Sequence, residues 1–232
     1  MEQIASLAET RDVDGLETML AADEQEARVE AAHALGRLRR PRTVPALVSA
    51  MGDAQVRVRQ AAAQALTRIG EPAVPALVAA LEGKGGRLAP YALWALGEIG
   101  SPAALDALVR GASDSSGWRV RWSAVKSLGD VGGVKAIQAL VGALEDRDQR
   151  VRSKASERLQ RIGEPAVKPL AYLLRHSKRD MRSEARKTLV GIGTPAALVE
   201  LQREQLLIWI PVGVMVIGLL LVILWLGSMI VS

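Results

Sequence analysis

Two histidines, His33 and His176, and no cysteine leave this chain of 232 residues with little from which to build a nucleophile, a general base or a metal centre. An activated serine or thiolate needs a base within hydrogen-bond reach, and metal sites need clustered His, Cys or carboxylates. The two imidazoles stand far apart in the chain, and no GxSxG elbow, phosphate loop or HExxH run is present. Individual Asp and Glu residues all have a place as helix caps or solvated surface groups. No catalytic, cofactor-binding or metal-ligating residue is therefore assigned, and the chain is expected not to be an enzyme. What remains is the chemistry of recognition: Tyr91, Trp94, Trp118 and Trp122, accompanied by Arg57, Arg87, Arg119 and Arg150. Aromatic faces bury large area and attract guanidinium groups, which is why Trp, Tyr and Arg dominate binding hot spots.

The elements that must position these residues repeat themselves. Leu35/Leu38, Leu66/Ile69, Leu96/Ile99, Leu128/Val131, Leu159/Ile162 and Leu189/Ile192 recur at spacings of 31, 30, 32, 31 and 30 residues. Four residues before each leading Leu stands an alanine: Ala31, Ala62, Ala92, Ala124, Ala155 and Ala185. A small residue there lets a neighbouring helix approach, and the Leu extends the same apolar stripe. Gly70, Gly100, Gly163 and Gly193 then supply left-handed caps, and Pro72, Pro102, Pro165 and Pro195 stop the helix. A second short apolar helix follows, as in VPALVSAM, VPALVAAL, AIQALVGAL and VKPLAYLL. Two such helices cannot bury their faces alone, so the units must stack. The expected fold is all-α, an α-solenoid of about six helix pairs over residues 1–204. A first helix near Val13 to Ala22 should cap its acidic N-terminal end, and residues 196–202 should begin a seventh unit, with Leu201 in the register of Leu108 and Leu140.

Equivalent positions in the repeat separate structure from recognition. Seven residues before the Leu stand Arg28, Arg59, Arg121, Arg152 and Arg182, with Ala89 as the exception. With the loop acids Asp53, Asp114 and Asp146 they should form a ladder tying successive units together. A second row, nine residues before the Leu, holds Arg57, Arg87, Arg119 and Arg150 and should be more solvated. The minus-two row is chemically varied (His33, Gln64, Trp94, Lys126, Glu157, Lys187), as an exposed row is. Trp94 is out of place there, and so is Trp122 at minus six. Because those rows share a helix face at i, i+4 spacing, the two indoles should lie on one surface of neighbouring helices, thickened by Tyr91 and Trp118.

The units resemble HEAT repeats of the short type found in phycobilin lyases. Val58-Arg59 with AAAQALTRIG, Val120-Arg121 with SAVKSLGDVG and Val151-Arg152 with KASERLQRIG carry the likeness, which covers roughly residues 10–203. It implies an elongated scaffold of paired helices. It constrains function weakly, since such repeats serve as scaffolds, chaperones, lyase subunits and nucleic-acid enzymes.

Residues 205–232 contain no charge, and 208–231 are almost continuously apolar. Twenty-four residues at ~1.5 Å each span roughly 36 Å, enough for a hydrocarbon core of about 30 Å, so a transmembrane helix is expected there. Trp209 and Trp225 are spaced to anchor at opposite headgroup layers, and Arg203 precedes the span. Residues 150–187 hold twelve Lys or Arg against four acids, which places residues 1–204 on the cytoplasmic side. The expected function is a membrane-tethered scaffold or accessory subunit that binds a protein partner through the aromatic face and lipid through its C-terminal helix. The alternative is a bilin lyase or chromophore-protein chaperone. A net charge of +5, partly used by the repeat motif, argues against nucleic acid.

Overall fold

The computed structural model describes residues 2–82, 86–113 and 117–204; the expected membrane span and its flanking Trp209 and Trp225 lie outside the described residues. All regular structure among the described residues is helical, and none of these helices is long and apolar enough to cross a membrane. The helices are α1 (Glu2–Glu9), α2 (Val13–Met19), α3 (Gln25–Leu38), α4 (Val44–Ala50), α5 (Val56–Ile69), α6 (Val74–Glu82) and α7 (Ala89–Ile99). They continue with α8 (Leu105–Ala112), α9 (Trp118–Val131), α10 (Gly133–Gly142), α11 (Gln149–Ile162), α12 (Val167–His176) and α13 (Arg179–Ile192), after which 195–204 are helical again. The chain forms two compact units, parting between Arg158 and Leu159 within α11. The expected domain boundary at 204/205 coincides with the edge of the described residues.

In the first unit α3, α5, α7 and α9 pack in sequence as one layer; α2, α4 and α6 pack on α3, α5 and α7, and α8 and α10 both pack on α9. The alanine row makes this possible: Ala31, Ala62, Ala92, Ala124 and Ala155 are all fully buried, as are Leu35, Leu66, Leu96 and Leu128. Leu47, Leu77, Leu108 and Leu140 close the core from the second layer, also fully buried. In the second unit Leu159, Leu170, Ala185 and Leu189 repeat the pattern, while Leu201 is only half-buried.

Seams between neighbouring helices differ in how closely they pack. A Cβ added at Gly36 of α3 would lie 2.7 Å from Ala65 Cα of α5. One added at Gly97 of α7 would run into the Ser127 side chain of α9, with Ser127 Cα at 2.8 Å. Between α5 and α7 the position equivalent to those glycines is Thr67, and these two helices pack less extensively than the flanking pairs.

The proline after each cap does more than stop a helix. Pro41, Pro72, Pro102 and Pro165 sit in the first turn of a 3-10 segment that leads directly into α4, α6, α8 and α12, and each segment buries its last residue, Thr43, Ala73, Ala104 or Ala166. Gly70, Gly100, Gly163 and Gly193 all have positive φ, between 64° and 82°. The equivalent position after α3 is Arg39, at φ 49° in the left-handed region. A side chain there costs on the order of 1 kcal/mol. Arg39→Gly is accordingly expected to raise the unfolding free energy of the first unit by about 1 kcal/mol, read from the urea midpoint at unchanged slope.

Sequence periodicity alone did not place α1. It packs on α2 and α3 and buries Ile4, so the N-terminal cap is two helices rather than one. Asp12 caps α2 by accepting a hydrogen bond from Gly15 N at 3.0 Å.

Candidate functional site

The Arg ladder is a structural device. Arg28 Nε donates to Asp53 Oδ2 at 2.9 Å, and Arg121 Nε donates to Asp146 Oδ2 at 2.6 Å, each linking one repeat to the next within the first unit. Arg28, Arg59 and Arg152 also cross their own preceding loops. Arg28 Nη1 donates to the carbonyls of Ala22 and Asp23, Arg59 Nη1 to those of Asp53 and Ala54, and Arg152 Nη1 to those of Asp146 and Arg147. Asp114 lies outside the described residues. Arg59 departs from the pattern: the acid 25 positions on is replaced in sequence by Lys84, its buried Nε has no hydrogen-bond partner, and its guanidinium carbon lies 5.3 Å from the Tyr91 ring centre.

Tyr91 belongs to the most distinctive surface of the first unit. Gln60 and Gln64 of α5, Pro90, Tyr91 and Trp94 of α7, and Trp118, Arg119, Trp122 and Ser123 of α9 line a groove of about 590 Å³. It opens along the less extensively packed α5–α7 seam. The four aromatics expected to share a face are brought together here, all of them half-buried. The floor is held by α9 hydroxyls that reach α7 carbonyls: Ser123 Oγ donates to Pro90 O at 2.6 Å and Ser127 Oγ to Leu93 O at 2.9 Å. Pro90 therefore sits at the groove as part of a cross-helix hydrogen bond, with its ring in the first turn of α7, where a missing N–H is tolerated.

Cations surround the rings. Arg150 Cζ lies 3.4 Å and Arg119 Cζ 4.8 Å from the Trp118 ring centre, and Lys154 Nζ lies 5.3 Å from that of Trp122. Arg150 is fixed by a bidentate pair with Asp148, at 3.0 Å and 2.7 Å. That hydrogen bonding holds the Asp148 carboxyl down at about 2 against its desolvation and keeps it anionic. Lys154 is paired with Glu157. Arg119 is exposed and in no ion pair among the described residues, and Arg59 contacts carbonyls rather than a carboxylate, so the groove carries uncompensated positive charge.

The other arginines named from sequence lie apart. Arg57 is exposed and paired with Glu26 of α3, and Arg87 is exposed in a 3-10 turn, Gly86–Leu88, that does not line the groove. Conversely, periodicity did not single out Gln60, Ser123 or Lys154 as part of this surface. Ser123 could have been found, since a serine at the alanine-rich packing face needs a carbonyl to donate to. Arg203 is exposed and lies 3.5 Å from Glu200. Among the described residues no group of His, Asp and Glu is arranged to hold a metal ion.

A family model described as HEAT repeats matches residues 13–89 and 74–160. No curated protein matches the chain. A chain in the structure of the complex of CpcE and CpcF of phycocyanin lyase from Nostoc sp. PCC7120 is 24% identical, covering 63% of this chain and 98% of that one, with a TM-score of 0.51. A chain in the structure of Kap95p with RanGDP is 16% identical with a TM-score of 0.59; the match covers 82% of this chain but 31% of that one. Likeness at these identities is likeness of fold.

Proposed function

The chain belongs to the HEAT-repeat family, and on that premise we propose that it is a non-enzymatic scaffold or accessory subunit that binds a protein partner in the groove between α5, α7 and α9. The observation that carries this reading is the gathering of Tyr91, Trp94, Trp118 and Trp122 into one half-buried cleft. Four aromatics on a surface that neighbouring repeats fill with Gln, Ser or Lys are a cost in solubility unless something covers them. Uncompensated Arg119 and Arg59 argue for a partner segment with carboxylates flanking an apolar or aromatic anchor. Anchors of that kind fill the centre of an interface, while charges at its rim set register and on-rate.

The tether belongs to the same proposal. Residues 208–231 have the length and apolarity of a membrane span, and the excess of basic residues before it supports a cytoplasmic position for the repeats. Tethering raises the effective concentration of a membrane-bound partner without any new contact.

Copurification of the tagged full chain in mild detergent tests the partner reading. It should bring down a partner at stoichiometric amount, and Trp94→Ala with Trp122→Ala should weaken that association by tenfold or more, on the order of 1–2 kcal/mol per buried anchor, while helicity stays unchanged. A chain that emerges alone, or an unchanged set of associates, would remove the reading.

A second reading, chromophore handling of the bilin-lyase kind, is favoured by the likeness to the phycocyanin lyase complex and by a cleft that joins aromatic faces to free cations. Bilin added to the detergent-solubilised chain should then shift its absorbance, and the shift should vanish in the same double variant. An unshifted spectrum leaves the protein partner as the occupant.

A further inference from the structure

In the second unit, α12 and α13 meet at a corner rich in positive charge. Arg175 and His176 end α12, Ser177 and Lys178 make the turn, and Arg179 and Arg182 lie in the first turns of α13; all but Ser177 are exposed. Lys178, Arg179 and Arg182 take part in no ion pair among the described residues, and the carboxylate on the corner itself is Asp180. Three other cations of the unit are paired: Arg186 reaches Glu204 at 2.6 Å, Arg175 reaches Glu200 at 3.0 Å, and Lys187 reaches Glu184 at 3.1 Å. Beside the free cations, Tyr172 is 60% exposed, stacked on His176 with ring centres 4.4 Å apart.

This corner stands near the end of the described residues. Arg175, near the end of α12, pairs with Glu200, so the helix over 195–204 runs alongside α12 toward the α12–α13 turn. Glu204 thus lies at the same end of the unit as Lys178 and Arg179, and the uncharged stretch 205–232 follows it directly in sequence. Unpaired cations next to a membrane entry point, with an exposed tyrosine among them, match what an anionic bilayer surface attracts and what its interface accepts.

We propose that the α12–α13 corner is a docking surface for anionic lipid headgroups, with Lys178, Arg179 and Arg182 supplying the charge and Tyr172 entering the interface. The proposal rests on the reading of 208–231 as a membrane span. It adds that the second unit lies against the bilayer rather than hanging from a free tether.

The absence of cysteine allows single-site labelling of the full chain. A fluorophore on Ser177→Cys, in nanodiscs containing a headgroup-quencher lipid, reports contact. A second label on Val134→Cys, an exposed site of the first unit, serves as control. Discs of phosphatidylcholine with phosphatidylglycerol should quench the Ser177→Cys label strongly, and phosphatidylcholine alone weakly. High salt should abolish the difference. Lys178→Gln, Arg179→Gln and Arg182→Gln together should weaken the headgroup contact on the order of a hundredfold and leave the control unchanged. A chain that enters the discs but is quenched equally in both lipids overturns the headgroup assignment and leaves the span intact. A chain that does not enter the discs overturns both. Binding of duplex DNA through the same three residues, without response to phosphatidylglycerol, would give the corner to nucleic acid and overturn the proposal as well.

Discussion

Asp146→Ala is expected to lower the unfolding free energy of the first unit by about 3–5 kcal/mol, the usual cost of removing one member of a buried ion pair. The Arg121 and Asp146 side chains are only 6% and 7% exposed. Besides Arg121, Asp146 accepts a hydrogen bond from Asp148 N at 2.8 Å, which fixes the turn before α11. Removing the carboxylate breaks this buried ion pair and loosens that turn together. Arg121→Met with Asp146→Leu should cost far less than the single change, because neither charge then remains buried. Urea titration of the detergent-solubilised chain, followed by helicity, distinguishes the two. Asp53→Ala breaks the equivalent pair with Arg28, whose side chains are 15% exposed, and should cost less.

The same pair gives the stability a pH dependence of known sign. Desolvation raises the Asp146 pKa, but hydrogen bonds from Arg121 and from Asp148 N, with the nearby guanidinium charge, outweigh it and hold the carboxyl below its ordinary 3.8. A depressed folded pKa means that the unfolded state takes up the proton first. The contribution is therefore full above about pH 4 and lost as pH falls through the folded value. His33 acts in the same direction at milder acidity. Burial lowers its pKa from 6.5, Glu30 opposes this, and Arg68 and Arg37 add to it. Its contribution is present above about 6.5 and declines as pH falls below that value. Stability should thus decline in acid, and the decline below about pH 4 should be shallower in the doubly apolar variant, where Asp148 and Asp106 still contribute.

Gly97→Ala is the second large effect, with an expected loss of about 2–3 kcal/mol at the upper end of overpacking costs. The new Cβ meets Ser127 Cα at 2.8 Å as well as the Ser127 side chain, so backbone must move. Ser127 cannot simply turn away, because its hydroxyl donates to Leu93 O at 2.9 Å. Separation of α7 from α9 would also pull Ser123 from Pro90 O and widen the groove that these helices line. The variant should therefore lose partner affinity along with stability. Gly142→Ala is the matching control: a Cβ there meets nothing within 4 Å and φ is −59°, so the change should stabilise by about 0.4–1 kcal/mol.

Much of this architecture could be read from the chain because the same physical demand recurs in each unit. One alanine, one leucine and one arginine at fixed offsets imply a close-packed seam, a core and a ladder. Seam and core are found in their places, while the ladder joins successive repeats at Arg28–Asp53 and Arg121–Asp146, and Arg182 is exposed and in no ion pair among the described residues. Trp94 and Trp122 could be paired for the same reason, since two positions on one helix face stay on that face in every unit. Features that occur once escaped this logic. α1 has no counterpart in the repeat, and Ile4 alone marks its buried side. Thr67 in place of a glycine reads as an ordinary helix residue until the α5–α7 seam is seen beside its more extensively packed neighbours. The parting of the chain inside α11 is likewise invisible to a periodicity that runs through it. Arg57 and Arg87 share a repeat position with Arg119 and Arg150, yet only the latter two meet Trp118, because the ring is present in one unit only.

The central claim is that a partner occupies the groove between α5, α7 and α9. Photo-crosslinking tests it most directly, with p-benzoylphenylalanine in place of Gln64, an exposed residue on the groove wall. Irradiation of membranes holding the full chain should give one product of defined mass. That product should disappear in Trp94→Ala with Trp122→Ala, and should not form from the same probe at Val190, an exposed site of the second unit. The absence of a product at Gln64, or a product indifferent to the two tryptophans, would contradict it.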